Sequence, residues 1–291
     1  MKKNLGLCLA ALLLFGALTG CGGNGASNTA SASGKIYVIS REDGSGTRSA
    51  FIELFGVEEK DADGQKVDRT IATAEKTNNT AVMMTSVAND KNAIGYLSLG
   101  SLGSTVKALK IDGVVPSLAT VKDGSYTVTR PFNIVTNGSL NAQAQEFLDF
   151  ILSNAGQDVV EQFGCVRLDQ APAFSGGQVS GKVVVAGSSS VSPLMEKLQE
   201  AYKKMNPNVT VEIQTSDSST GINAAIEQIC DIGMSSRELK DSEKEKGVRE
   251  TPMATDAIVV IVHPNNALDG LSKEQVKSIY TGGVSTWSEV M

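Results

Sequence analysis

The stretch "SREDGSGTR" at residues 40–48 stands between two apolar segments and decides the fold. The segment before it, "KIYVI" at residues 35–39, has the pattern of a buried strand, and "SAFIELF" after it places apolar side chains at helical spacing. Glycine and hydroxyl residues between such segments are typical of a loop. The sequence therefore predicts a strand, a polar loop and a helix, in that order.

The same arrangement occurs twice more. "KVVVA" at residues 182–186 leads into "GSSSVSP", and "VTVEIQ" at residues 209–214 leads into "TSDSSTG". Each polar loop is followed by a helical pattern. Because strand and helix patterns alternate from residue 34 to the end of the sequence, we expect an α/β protein with a parallel or mixed sheet.

Three such loops in one chain favour an anion-binding site. The first N–H groups of a helix have no intrahelical acceptor and carry a partial positive charge, so an anion can bind there. Glycine allows close approach of the backbone, hydroxyl groups add donors, and Arg41 adds a full charge with a planar donor geometry. For any single loop the alternative is a plain helix N-cap.

The composition narrows the setting. The chain has 291 residues, of which 41% are hydrophobic, enough for two lobes with their own cores. The net charge of −6 and the absence of a dense Lys/Arg cluster exclude nucleic acid as the expected partner.

The N-terminus has the pattern of a targeting segment. Two lysines precede the apolar stretch at residues 5–18, which predicts a signal peptide over residues 1–20. The following "LTGC" resembles the lipobox of bacterial lipoproteins, in which Cys21 carries the lipid; the alternative is an uncleaved anchor with a chance cysteine. Residues 21–33 then predict a flexible tether. We therefore expect a protein outside the cytoplasm, held to a membrane by lipid alone.

The remaining cysteines do not predict a metal site. Cys165 and Cys230 lack metal-ligand spacing, and His263 is the only histidine. Two buried thiols and a disulfide both remain open for this pair. A catalytic role is disfavoured as well, because the chain has neither a GxSxG nucleophile elbow nor the lysine of a phosphate-binding P-loop. We therefore expect no enzyme, no metal and no cofactor.

Several segments together resemble a known family. "SREDGSGTR", "GSSSVSP", "AIGYLSLG", "IYTGG" with "TW", and "TSDSSTGINAAIEQICDIGMSSR" are similar to the extracytoplasmic phosphate-binding protein of ABC-type phosphate importers. The resemblance covers residues 34–290. It implies a two-lobed, type II periplasmic-binding-protein-like fold that closes on inorganic phosphate and delivers it to a membrane permease with its ATPase subunits. Sulfate or molybdate binding, and a phosphate-sensing role, are the alternatives.

The resemblance also assigns ligand-binding residues. In one lobe they are Arg41, Asp43, Ser45, Gly46 and Thr47, and in the other they are Ser189, Ser190, Ser218 and Ser236. Some family members have an aspartate where this chain has Ser236. Arg237 beside it either compensates or faces solvent.

Asp43 is the expected acceptor for a phosphate proton, which would exclude sulfate because sulfate carries no proton near neutral pH. Its alternative role is to hold Arg41 by a salt bridge.

The two halves stand in the reverse of the family's usual order, which predicts a circular permutation joined by residues 170–181. One lobe is then expected from residues 34–129 with 258–291 and the other from residues 130–257, and the chain ends should meet. The joint is long enough for one chain to fold back as a monomer; the alternative is a swapped dimer.

Overall fold

The computed structural model describes residues 34–291, so the predicted signal peptide, the tether and Cys21 lie outside the described residues. The strands are β1 Tyr37–Arg41, β2 Glu58–Lys60, β3 Lys66–Asp68, β4 Glu75–Thr77, β5 Ala93–Ser98, β6 Lys107–Ala108, β7 Lys110–Ile111, β8 Thr129–Asn137, β9 Gly181–Ser188, β10 Val209–Ser216, β11 Ile232–Ser235, β12 Val248–Val262 and β13 Gly270–Leu271. The α-helices are α1 Gly46–Leu54, α2 Thr80–Asn89, α3 Leu118–Lys122, α4 Ala142–Leu152, α5 Asn154–Phe163, α6 Ser192–Met205, α7 Ser218–Ile226, α8 Asp241–Lys244 and α9 Lys273–Thr281; short 3-10 helices occupy Leu99–Ser101 and Trp287–Glu289. None of the helices in the described part of the chain has the length and apolar character needed to cross a membrane.

One mixed sheet runs through the molecule, in the order β10-β9-β11-β8-β12-β5-β1-β4, with β6 added alongside β12. The strands at its two ends are parallel to their neighbours, whereas β8 and β12 in the middle pair antiparallel with the strands beside them. The 15-residue strand β12 pairs first with β8 and then with β5. It therefore joins the two halves of the sheet.

Two groups of apolar residues pack on this sheet and form two lobes. The terminal lobe has its core from both ends of the chain, up to Val128 and again from Ala257 onward. The central lobe has its core between Phe132 and Ala254. The structure thus confirms the predicted two-lobed α/β class.

A buried ion pair lies where the sheet passes from one lobe to the other. Arg130 on β8 donates from Nε and Nη2 to Oδ2 of Asp256 on β12, both at 3.0 Å. The hydroxyl of Ser98 donates to Oδ1 of the same carboxylate at 2.7 Å. Burial raises the pKa of Asp256, and the Arg130 charge opposes that rise. These contacts bind β5, β8 and β12 together at the lobe boundary.

The two ends of the described chain lie side by side in the terminal lobe. The Ile36 N–H donates to the Ser285 carbonyl at 2.8 Å, and the Trp287 N–H donates to the Gly34 carbonyl at 3.2 Å. This proximity is what a permuted order requires. The permutation itself stays a prediction.

The predicted joint at residues 170–181 lacks regular secondary structure up to Gly181, where β9 begins. It is nevertheless packed against the central lobe. Phe174 lies edge-on to Phe150 with ring centroids 5.4 Å apart. The carboxylate of Glu146 on α4 accepts hydrogen bonds from the Gly177 N–H at 2.9 Å and the Tyr202 hydroxyl at 2.6 Å. The segment is therefore fixed by specific contacts.

We predict that Glu146→Ala lowers the free energy of unfolding by roughly 1–3 kcal/mol, because buried donors such as the Tyr202 hydroxyl lose their acceptor. Urea denaturation at neutral pH measures this, with Glu200→Ala at an exposed position of α6 as the control. Burial alone raises the pKa of Glu146, but hydrogen bonds from Tyr202, Gly177 and Asn206 outweigh it and lower the pKa below its ordinary value of 4.5.

A lowered pKa in the folded state stabilises the protein above the unfolded-state pKa, and this stabilisation is lost as the pH falls through the folded-state pKa. The difference between wild type and Glu146→Ala should therefore shrink below pH 4.5. Equal unfolding free energies for the Glu146 and Glu200 variants would contradict the prediction.

Candidate functional site

The three polar loops predicted from the sequence meet between the lobes. Thr47 at the start of α1 lies with its hydroxyl oxygen 2.6 Å from that of Ser190, which precedes α6. Arg41 at the end of β1 donates from Nη2 to the Ser189 hydroxyl at 2.9 Å. Because each pair joins the terminal lobe to the central lobe, the site consists of residues from both. We call Arg41, Thr47, Ser189 and Ser190, together with the central-lobe serines described below, the cage.

The guanidinium of Arg41 is buried, with only 2% of its side chain exposed. Its Nε and Nη2 atoms both donate to the carboxylate of Glu42, at 2.7 Å each. Nη1 is buried and makes no hydrogen bond within the described part of the chain. Buried charged donors are almost always paired. Nη1 of Arg41 therefore lacks the partner that a buried cationic donor ordinarily has.

The backbone at Arg41 is held from below by Tyr96. The Tyr96 hydroxyl accepts from the Arg41 N–H at 3.1 Å and lies 2.9 Å from the Ser40 hydroxyl. The Tyr96 ring stacks on Phe51 of α1 with centroids 3.9 Å apart. Burial raises the pKa of the Tyr96 hydroxyl, which therefore stays protonated. Strand β1 and helix α1 are fixed together beneath the cage.

Hydroxyl groups of the central lobe form the opposite wall. Ser218, the first residue of α7, accepts from the Ser236 N–H at 3.0 Å. The Ser236 hydroxyl in turn accepts from Ser188 at 3.0 Å. All three serines are buried. Ser188 had not been predicted, although it directly precedes the predicted pair Ser189 and Ser190.

Gly46 packs closely against the central lobe. A Cβ atom at this position would overlap Ser218 Oγ and lie 2.7 Å from Ser236 Oγ. Ser45, the residue before it, caps α1 by accepting from the Arg48 N–H at 3.3 Å. The N-terminus of helix α1 therefore faces the central lobe, and Gly46 is the residue that contacts it.

The prediction for Asp43 requires correction. Its side chain is 79% exposed and pairs with Arg48 at 2.5 Å and with Lys76 at 3.2 Å. It is therefore neither a buried proton acceptor nor the partner of Arg41. Glu42 fills that second role, and the sequence signal was its position directly beside Arg41.

Arg237 does not face solvent, and its donors are not directed to the cage hydroxyls. It is buried and donates to both carboxylate oxygens of Glu243, at 2.7 and 2.8 Å, and to the Ser219 hydroxyl at 3.1 Å. The predicted compensation for the missing aspartate at Ser236 is therefore not provided by this arginine.

Two further residues complete the description. Thr80, the first residue of α2, donates to the Ser189 carbonyl at 3.3 Å and lies 3.4 Å from the Ser190 hydroxyl. The sequence did not single it out. His263 accepts from the Asn265 N–H at 3.0 Å, a local contact in the loop that follows β12.

Cys165 and Cys230 are free thiols, and both are buried. Burial raises the pKa of Cys230 to about 11 and that of Cys165 further. The sequence left free thiols and a disulfide open for this pair, and the structure has free thiols. In the region from residue 34 onward, no three His, Cys, Asp or Glu side chains are grouped so that they could hold a metal ion.

Comparisons with known proteins give a consistent result. The profile of the PBP superfamily domain matches residues 25–155 and 172–290. The chain is 52% identical to Phosphate-binding protein PstS 2 of Streptococcus agalactiae serotype V over 294 residues, which cover 100% of this chain and 99% of that one. It is 45% identical to the protein of the same name in Streptococcus pneumoniae serotype 4, over 99% of both chains.

A solved structure shares the fold. The phosphate-binding protein of a phosphate ABC transporter from Streptococcus pneumoniae TIGR4 matches with a TM-score of 0.70 and 45% identity, over 89% of this chain and 100% of that one. At this identity and coverage the comparison supports the two-lobed fold described above.

We predict that Gly46→Ala blocks closure of the lobes without unfolding either one. Gly46 has no unusual backbone requirement, and alanine favours the helix, but the added methyl group would overlap Ser218 Oγ across the cleft. Small-angle scattering should show a larger radius of gyration than wild type, with an unchanged thermal unfolding midpoint.

Gly103→Ala is the control, because its methyl group would meet the end of the flexible Met84 side chain and otherwise make only an ordinary contact with Thr105 Oγ1 at 3.9 Å. A Gly46→Ala protein with the same radius as wild type would show that the lobes do not need this close approach.

Proposed function

The chain belongs to the PBP superfamily and, within it, to the family of phosphate-binding proteins PstS, and on this basis we propose that it binds inorganic phosphate between its lobes. It does so outside the cytoplasm and delivers the phosphate to the permease of an ABC-type importer. We further propose that Cys21 carries the lipid anchor and that one chain is the working unit. The contacts of Arg41 with Ser189 and of Thr47 with Ser190 support a monomer, because one chain supplies both walls of the site.

The observation that carries the proposal is the unpaired Nη1 of Arg41. Leaving a cationic donor buried without a partner is costly, and an anion in the cage removes that cost. The surrounding groups suit a tetrahedral oxyanion, which has acceptors on all sides. Hydroxyl groups of Thr47, Ser190 and Ser218 and the first N–H groups of α1 are donors from different directions.

Binding and closure follow from this geometry. Arg41 and Thr47 belong to the terminal lobe, and the serines belong to the central lobe, so a single anion can engage all of them only when the lobes close. The ligand therefore binds the closed state more tightly and shifts the population toward it.

The site supports binding rather than catalysis. The cage hydroxyls contact other hydroxyls, backbone amides and the Arg41 guanidinium, none of which acts as a general base. The carboxylate of Glu42, which contacts the Arg41 guanidinium, is held by two hydrogen bonds from it. The delivered molecule is thus the same phosphate that was bound.

We predict that Arg41→Ala weakens phosphate binding by at least about 100-fold, because charge-assisted hydrogen bonds are lost from a buried site. Arg41→Lys should recover part of the affinity, since it restores the charge without the fork. Isothermal titration calorimetry of the domain with phosphate, sulfate and molybdate measures this.

Arg69→Ala is the matched control, because Arg69 is half-exposed and pairs only weakly with Glu59 at 3.9 Å. If the wild type gave no heat with phosphate but a signal with sulfate or molybdate, then that anion, and not phosphate, would be the ligand.

A second prediction concerns selectivity. Asp43→Asn should change neither the phosphate affinity nor its ratio to sulfate affinity by more than about twofold, because exposed ion pairs contribute little. Glu42→Gln should weaken the binding of both anions, because it releases Arg41 from its carboxylate partner. Competition titrations measure both variants. A tenfold change in the ratio for Asp43→Asn would restore Asp43 as the proton acceptor.

A further inference from the structure

The loop that connects β1 to α1 is held by contacts outside the cage as well as within it. Ser219, the second residue of α7, donates to the Gly44 carbonyl from its backbone N–H and from its hydroxyl, each at 3.2 Å. Gly44 lies in the turn between Arg41 and Ser45 with φ at +88°, a conformation that glycine adopts readily. Since Gly44 belongs to the terminal lobe and Ser219 to the central lobe, both hydrogen bonds cross the cleft.

Arg237 determines the direction of the Ser219 hydroxyl. An arginine side chain can only donate hydrogen bonds, and Arg237 Nη2 donates to Ser219 Oγ at 3.1 Å. That contact occupies a lone pair of the hydroxyl and leaves its proton for Gly44. Such a chain of hydrogen bonds strengthens each member.

Arg237 is itself immobilised. Glu243 binds its guanidinium through both carboxylate oxygens, and Nη1 also donates to the Glu238 carbonyl at 2.8 Å. Burial raises the pKa of Glu243, but hydrogen bonds from Arg237 and from the Lys240 N–H outweigh it and lower the pKa. The carboxylate is therefore charged at neutral pH and keeps the arginine in place.

We propose that Ser219, oriented by Arg237 and Glu243, is an interlobe latch that holds the closed state and slows the release of phosphate. This inference rests on the proposed function for the identity of the ligand. Arg237 and Glu243 are positioning residues, because their contacts act through Ser219. The latch adjoins the cage on both sides, since Ser219 follows Ser218 and Gly44 precedes Ser45.

Release kinetics test the latch. Stopped-flow chase of bound phosphate should show release from Ser219→Ala that is roughly tenfold faster than from wild type, the change expected for one lost hydrogen bond. The association rate should change far less, because phosphate enters the open protein, in which Ser219 and Gly44 are apart. Ser219→Thr should restore slow release, since it keeps a hydroxyl group.

Variants of the supporting residues test the mechanism. Arg237→Ala should also release phosphate faster, and the Ser219→Ala/Arg237→Ala double variant should match the larger single effect, because both remove the same contact. Additive effects would show that Arg237 does not act through Ser219. Ser242→Ala, at an exposed position beside Glu243, is the control and should match wild type.

An interlobe distance measured without phosphate separates this inference from the proposed function. Labels on Asp63→Cys and Lys204→Cys, both exposed and in different lobes, report the closed fraction, while Cys165 and Cys230 stay buried. Ser219→Ala should lower that fraction in the ligand-free protein, even if the ligand proves to be another anion. An unchanged distance together with an unchanged release rate would overturn the latch.

Discussion

The burial of one guanidinium, that of Arg41, is the constraint on which the rest of the site depends. A cation removed from water needs compensation, and Glu42 supplies it for two of the three side-chain nitrogens. The third makes no hydrogen bond within the described part of the chain. Tyr96 fixes the backbone beneath, and the Ser189 hydroxyl reaches the same guanidinium from the other lobe. The guanidinium is therefore held by groups from both lobes.

Much of this could be predicted because strand-to-helix loops have a strong local signature. Glycine and hydroxyl residues after an apolar strand indicate where a helix N-terminus will stand, and the carboxyl ends of neighbouring strands meet at one edge of a sheet. Arg41, Gly46, Thr47, Ser189, Ser190 and Ser218 were identified in this way or by resemblance, and the structure brings them together. Their roles as phosphate ligands remain a proposal.

The predictions that were wrong depended on the direction in which a side chain points. Glu42 and Asp43 are adjacent and chemically alike, so the sequence alone does not say which one turns toward Arg41. Arg237 finds its partner in Glu243, on a short helix that the sequence did not predict. A second limit applies to the long strand β12. Its first half lacks an apolar pattern and is a strand because it pairs with β8.

The antiparallel pair of β8 and β12 also determines how the lobes move. Two strands joined by a ladder of hydrogen bonds resist stretching and sliding, because either motion breaks the register, but they yield to bending and twisting. The Arg130–Asp256 ion pair adds stiffness where the ladder crosses the lobe boundary. Opening is therefore restricted to a rotation about this pair of strands, with little translation. A rotation about these strands would bring the two walls of the cage back into the same alignment each time the lobes close.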